Sequence, residues 1–189
     1  MRLDALIEHR LPWPGGMPLL AVGAWFKNTV CAARGGEALV SHTVGDLDCV
    51  DACIGHEQAV RTLLEWLDAT PAAIVHDLHP DFHSTRFARR LADELGVPAL
   101  GVQHHHAHTA ALCAEHGVEG PVLGLALDGV GLGRDGTAWG GELLRVDGAH
   151  CEGRVFRVDG AGDRPRRGPL RDGAHRDADR IEEPADPRP

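Results

Sequence analysis

Four histidines stand in five consecutive positions, His104-His105-His106-Ala107-His108. Imidazole nitrogen is a common ligand for divalent transition metals. His104 and His108 are four apart, so on a helix both rings project from one face and can bind one ion. His105 and His108 are three apart and compete for the same role. The ordinary alternative is a polar helix start with solvated rings. Two histidines do not complete a site, and Asp128 is the best local third ligand. It ends the apolar run LGLALD, where an acid has no packing reason to stand, although an Asp before Gly also starts turns. After it, Gly129-Val130-Gly131-Leu132-Gly133 offers free backbone N–H groups to a phosphate. Lys27, the only lysine beside 18 arginines, stands with Asn28 in a turn and is a good phosphate partner by type, although a surface turn lysine explains it equally well. Asp77 and His79 lie in a third polar cluster, Asp77-Leu78-His79-Pro80-Asp81, which caps and turns explain equally well.

Composition narrows the classes. The 189-residue chain has formal net charge −9, which argues against non-specific binding to nucleic acid or an anionic membrane. No apolar run reaches the roughly 18 residues of a membrane span, and Met1–Gly16 lacks the apolar core of a signal peptide. Five cysteines with no CxxC pair fit neither a disulfide framework nor a cysteine zinc site, so a reducing cytoplasm is expected.

The elements that must position these residues are readable from periodicity. Residues 1–18, ending in Pro12, Pro14, Gly15, Gly16 and Pro18, read as a linker. Strands are expected over Leu19–Ala24, Thr29–Ala33 and Ala38–Thr43, the last two joined by a hairpin at Arg34–Glu37. Apolar spacing predicts a helix over His56–Asp68, then a strand over Ala72–His76. A second helix runs to Leu95, capped by Asp81 or Ser84, followed by a strand at Ala99–Val102 and a third helix over His104–His116. Residues 19–120 thus read as one βββαβαβα lobe. Residues 121–158 repeat its opening, with strands at Val122–Asp128, Thr137–Val146 and Glu152–Val158. Residues 159–189 are rich in Arg, Asp, Pro and Gly, too poor in apolar residues for a core, and read as a disordered or out-of-frame tail. The class is α/β with a mixed sheet. Two facing lobes of this pattern resemble the actin-like ATPase, or ribonuclease H-like, fold: one complete lobe and the first three strands of a second.

Several segments together, AVGAWFKNTVCAARGGEALVS, GDLD, HDLHPDFHSTRFA, VQHHHAH and LALDGVGLGRDGTAWGGELL, closely resemble the HypF carbamoyltransferases, over about residues 3–158. The resemblance implies part of a carbamoyl-transfer domain similar to the TsaD type. It implies ATP and carbamoyl phosphate as sources of a carbamoyl-adenylate, and transfer to the C-terminal cysteine of HypE in [NiFe]-hydrogenase maturation. It places a divalent metal, iron or zinc, on His104 and His108 with Asp128, and phosphate contacts at Gly129 and Gly131. Family members carry further domains before this segment and more of the transfer domain after it. The expectation is therefore a truncated chain, inactive alone or completed by a separate chain. The competing readings are a non-enzymatic metal- or partner-binding module and another actin-like phosphotransferase. For the latter, no kinase-type base is evident.

Overall fold

The computed structural model describes residues 2–148 and 150–155. The expected tail, residues 159–189, lies outside the described residues. The elements run α1 (Leu3–Leu6), β1 (Ile7–Pro12), β2 (Leu19–Ala21), β3 (Cys31–Arg34), β4 (Glu37–Ser41), α2 (Val50–Leu67), β5 (Ile74–Asp77), α3 (His83–Leu95), β6 (Ala99–Val102), α4 (His104–His116), β7 (Val122–Ala126), β8 (Gly131–Leu132), β9 (Ala138–Trp139), β10 (Glu142–Asp147) and β11 (His150–Val155).

The first sheet has six strands in the order β1-β4-β3-β2-β5-β6. β1 to β2 run antiparallel to their neighbours, whereas β2, β5 and β6 are mutually parallel. This is the mixed sheet that three hairpin-type strands followed by βαβ units must form. Parallel strands share a carboxyl edge, so the turn after β2, Asp77 at the end of β5 and the start of α4 after β6 all lie along one side of the sheet. The core is built from strand residues Leu20, Val22, Ala32, Leu39 and Ile74 against the apolar stripe of α2, Ala59, Val60, Leu63 and Leu67. Phe87, Ala88 and Leu91 of α3 complete it.

Residues 1–18 are not all linker. β1 pairs with β4 from Ile7↔Ser41 to Pro12↔Glu37, and Leu6 is buried in the core. Pro12 ends an edge strand, where a missing N–H costs no ladder bond, so the proline signal did not exclude a strand. α2 begins at Val50 rather than His56, because its first turn carries the exposed Val50 and Ile54, which break the apolar periodicity. Neither Asp81 nor Ser84 caps α3. The N-cap is Phe82, with no side-chain cap bond, and Ser84 Oγ instead donates to Ala24 O at 2.9 Å, tying α3 to the loop after β2.

The second sheet has the order β11-β10-β7, all antiparallel. The strand expected over Thr137–Val146 is broken at Gly140-Gly141: β9 pairs with β8 as a separate ribbon, and β10 starts at Glu142. Its core is Trp139, Leu144 and Val146. α4 lies against β7, β8 and β10 and so links the two sheets. No helix among the described residues is long and apolar enough to cross a membrane.

Candidate metal centre

α4 opens immediately after β6, and its first turn is held by Gln103. The Gln103 Oε1 accepts the His106 N–H at 2.8 Å, satisfying one of the orphan donors of the helix start. With the helix pinned there, the four histidines diverge. His106 turns inward, and its Nε2 lies 3.2 Å from Gly148 O. His105 is fully buried, and its Nδ1 meets the carboxylate of the equally buried Glu142. His104 and His108 remain on the open face, with their Nε2 atoms 3.3 Å apart.

Asp128 lies just past β7. Its Oδ1 accepts the Gly129 N–H at 2.7 Å, which leaves Oδ2 turned to the histidines. That oxygen is 3.0 Å from His104 Nε2 and 3.5 Å from His108 Nε2. Two ligands about 2.1 Å from one ion, at a tetrahedral angle, lie roughly 3.4 Å apart. The three separations are thus the edges of a small coordination polyhedron. His104, His108 and Asp128 present donor atoms within 4.8 Å of one another and fit a divalent ion that takes nitrogen and oxygen ligands. His105 is buried with its Nδ1 on Glu142, and its Nε2 stands 3.9 Å from Asp128 Oδ2, behind the His104 and His108 pair.

The electrostatics follow from burial and contact. The Asp77 hydrogen bond outweighs burial and raises His104 above the usual imidazole range. Burial alone would raise Asp77, but bonds from His104 and the His79 amide hold it below the usual carboxylate range. Burial likewise works against Asp128, yet the Gly129 amide and the two histidines keep it low. Burial pushes Glu142 up to about 7, with the charge of Asp128 adding to the effect. Burial lowers His105. Both shifts favour the neutral forms of these two buried groups.

The remaining expected site residues surround this centre or lie along the same sheet edge. Asn28 is buried, and its Nδ2 donates to Val22 O at 3.0 Å and Ala24 O at 2.9 Å, so its amide shapes the turn from within. Lys27 is exposed in that turn, in the left-handed region at φ 44°, with its N–H donating to Asp46 Oδ1 at 2.8 Å. The Gly129 amide is already taken by Asp128. Gly131 serves close packing: a Cβ there would lie 2.8 Å from His104 Cβ. His79 stacks on Phe82 at 4.3 Å, and its own N–H donates to Asp77 Oδ1 at 2.7 Å, so it borders the centre without joining it.

This chain has recognisable relatives. A model of the HypF Kae1-like domain matches residues 15–115, and one of the carbamoyltransferase Kae1-like domain, second subdomain, matches residues 124–162. The chain belongs to the HypF carbamoyltransferase family. It is 59% identical over 132 residues to Carbamoyltransferase HypF2 of Cupriavidus necator, covering 70% of this chain and 16% of that protein. A Carbamoyltransferase HypF homolog of the same organism is 58% identical over 129 residues, covering 68% of this chain and 33% of that protein. The crystal structure of full-length HypF in the phosphate- and nucleotide-bound form superposes with TM-score 0.70 at 35% identity, over 77% of this chain and 23% of that one. The chain therefore spans between a sixth and a third of the length of these HypF relatives. The α/β fold with a mixed sheet is that of the HypF Kae1-like domain.

Glu142 and Gln103 carry the site without belonging to any motif that marks ligands. Glu142 had one readable signal: it shares the inward face of β10 with Leu144 and Val146, so period-two alternation places an acid among core residues. Gln103 had none, since glutamine is an uncommon N-cap.

Proposed function

We propose that this chain forms the metal-holding part of a HypF-type carbamoyl-transfer site. His104, His108 and Asp128 hold one divalent cation, iron or zinc, at the carboxyl edge of the first sheet. The observation that carries this reading is the convergence of His104 Nε2, His108 Nε2 and Asp128 Oδ2 on one point, in a chain of this family. When bound, the cation supplies Lewis acidity and an anchor for phosphate or carbamoyl oxygens. Lys27, exposed along the same sheet edge, is placed to meet an ATP-derived phosphate, and the phosphate- and nucleotide-bound form of the solved HypF supports that class of ligand. The two sheets correspond to the two lobes of an actin-like ATPase, the first complete and the second represented by β7, β10 and β11.

The reaction is transfer of a carbamoyl group from carbamoyl-adenylate, made from carbamoyl phosphate and ATP, to the C-terminal cysteine of HypE. The cysteine sulfur bonds to the carbamoyl carbon, the bond to the adenylate oxygen breaks, and AMP leaves. An adenylate held between two lobes needs both, so this part of the transfer domain does not complete the transfer by itself. The test is transfer of labelled carbamoyl phosphate, with ATP, to a HypE C-terminal peptide. The chain alone gives no labelled peptide, and addition of the remaining transfer domain as a second polypeptide restores labelling. No labelling with both present contradicts the reading.

A further inference from the structure

We infer that Asp77 is the positioning residue of the centre: it stands behind His104, holds the ring proton on Nδ1 and leaves Nε2 free for the metal. The inference rests on the metal reading above and adds a residue that is not itself a ligand.

Asp77 ends β5, and its side chain is 4% exposed. Both of its oxygens are committed. Oδ1 faces the His79 backbone N–H at 2.7 Å, and a backbone N–H can only donate. Oδ2 faces His104 Nδ1 at 2.7 Å. An ionised carboxylate only accepts, so Nδ1 must carry hydrogen. A neutral imidazole has one ring hydrogen, and two carboxylates face the ring: Asp77, buried, at 2.7 Å from Nδ1, and Asp128, 43% exposed, at 3.0 Å from Nε2. The shorter, buried contact keeps the hydrogen on Nδ1, and Nε2 is bare for the metal. Nε2 is the atom that faces His108 and Asp128. The carboxylate also fixes the plane of the ring, because it is itself held by the turn to His79 at the end of a central parallel strand. Such carboxylate–imidazole–metal arrangements set ligand tautomer and orientation, and their loss costs roughly 10- to 100-fold in metal affinity.

Asp77→Asn tests this with almost no change in shape. An amide has one accepting oxygen, and two donors face this side chain. With the oxygen kept by the His79 N–H, the amide NH2 faces Nδ1, which must then accept. The ring hydrogen moves to Nε2 and blocks the metal. The same exchange behind a catalytic histidine in serine proteases preserves geometry and selects the wrong tautomer. The experiment titrates the full chain with Co2+ and follows its visible absorption, beside 15N spectra of the metal-free protein in alkaline solution. Wild type should bind Co2+ and show His104 protonated at Nδ1. Asp77→Asn should bind at least roughly tenfold more weakly and show His104 protonated at Nε2. Equal Co2+ affinity in the two proteins overturns the inference. So does an Nε2-protonated His104 in wild type, a readout that stands even if the variant fails to fold. Absence of Co2+ binding by wild type contradicts the metal reading instead, and the tautomer still decides the role of Asp77.

Discussion

At the scale of single residues, the pair His105–Glu142 is the least expected feature of the centre. Two ionisable groups, each 0% exposed, lie one residue from the proposed ligand His104 and on the neighbouring β10. Glu142 titrates at about 7 in the folded chain against 4.5 ordinarily. Between those values the folded state holds a proton that the unfolded state has released. Stability is therefore greatest below about pH 4.5 and falls as pH rises to about 7, by at most ~3 kcal/mol. Glu142→Gln removes this slope, and urea midpoints compared across that window show it as the difference between the two proteins. Parallel slopes in both would mean that Glu142 is ionised in the fold. His104, His108 and Asp128 were legible in the sequence because one helical turn and one strand end place them by simple periodicity. Glu142 was not, because its partner lies 37 positions away on another element, and nothing local announces the pairing.

At the scale of elements, everything depends on how α4 is held. Its expected limits, His104–His116, agree with the structure. A strand before it and Gly117 in the left-handed conformation after it leave little freedom. What holds it in place was less visible. Gln103 caps the start and Gly131 lets the β8 chain approach His104 closely. Gln103→Ala should lower stability by about 1 kcal/mol, as loss of an N-cap does, measured by denaturant unfolding. Gly131→Ala should cost about 1–3 kcal/mol as overpacking and weaken metal binding with it, since the added methyl meets the proposed ligand His104 itself. A Gly131→Ala protein with unchanged metal affinity would show that α4 and the β8 segment move independently. β1 is the element that composition hid: its prolines and glycines resemble a linker, and only the pairing with β4 reveals a strand. The glycines expected at phosphate are ambiguous for a related reason. A glycine needed for close packing and one needed for exposed N–H groups look the same in a sequence.

At the scale of the molecule, the second sheet is covered on one face by α4 and, among the described residues, open on the other. Leu123, Leu125 and Leu127, at alternate positions in and after β7, are 72%, 64% and 80% exposed, and β7 is the last strand of its sheet among the described residues. An uncovered apolar stripe beside a free strand edge favours association. The chain should self-associate with rising concentration in sedimentation, and Leu123→Lys with Leu125→Lys should shift it towards monomer. A wild-type monomer at all concentrations, with no binding of an apolar dye, would mean that the stripe is covered within the chain. The family was legible in the sequence because its motifs are local; the apolar stripe was not, because what covers a strand face is set by residues far along a chain.

The central claim is that His104 and His108, with Asp128, hold one divalent cation. Metal content of the purified chain after incubation with Fe2+ or Zn2+ and gel filtration tests it most directly. The account predicts about one ion per chain in wild type and near-complete loss in His104→Ala/His108→Ala at unchanged helical content. Equal metal content in the two proteins would contradict it.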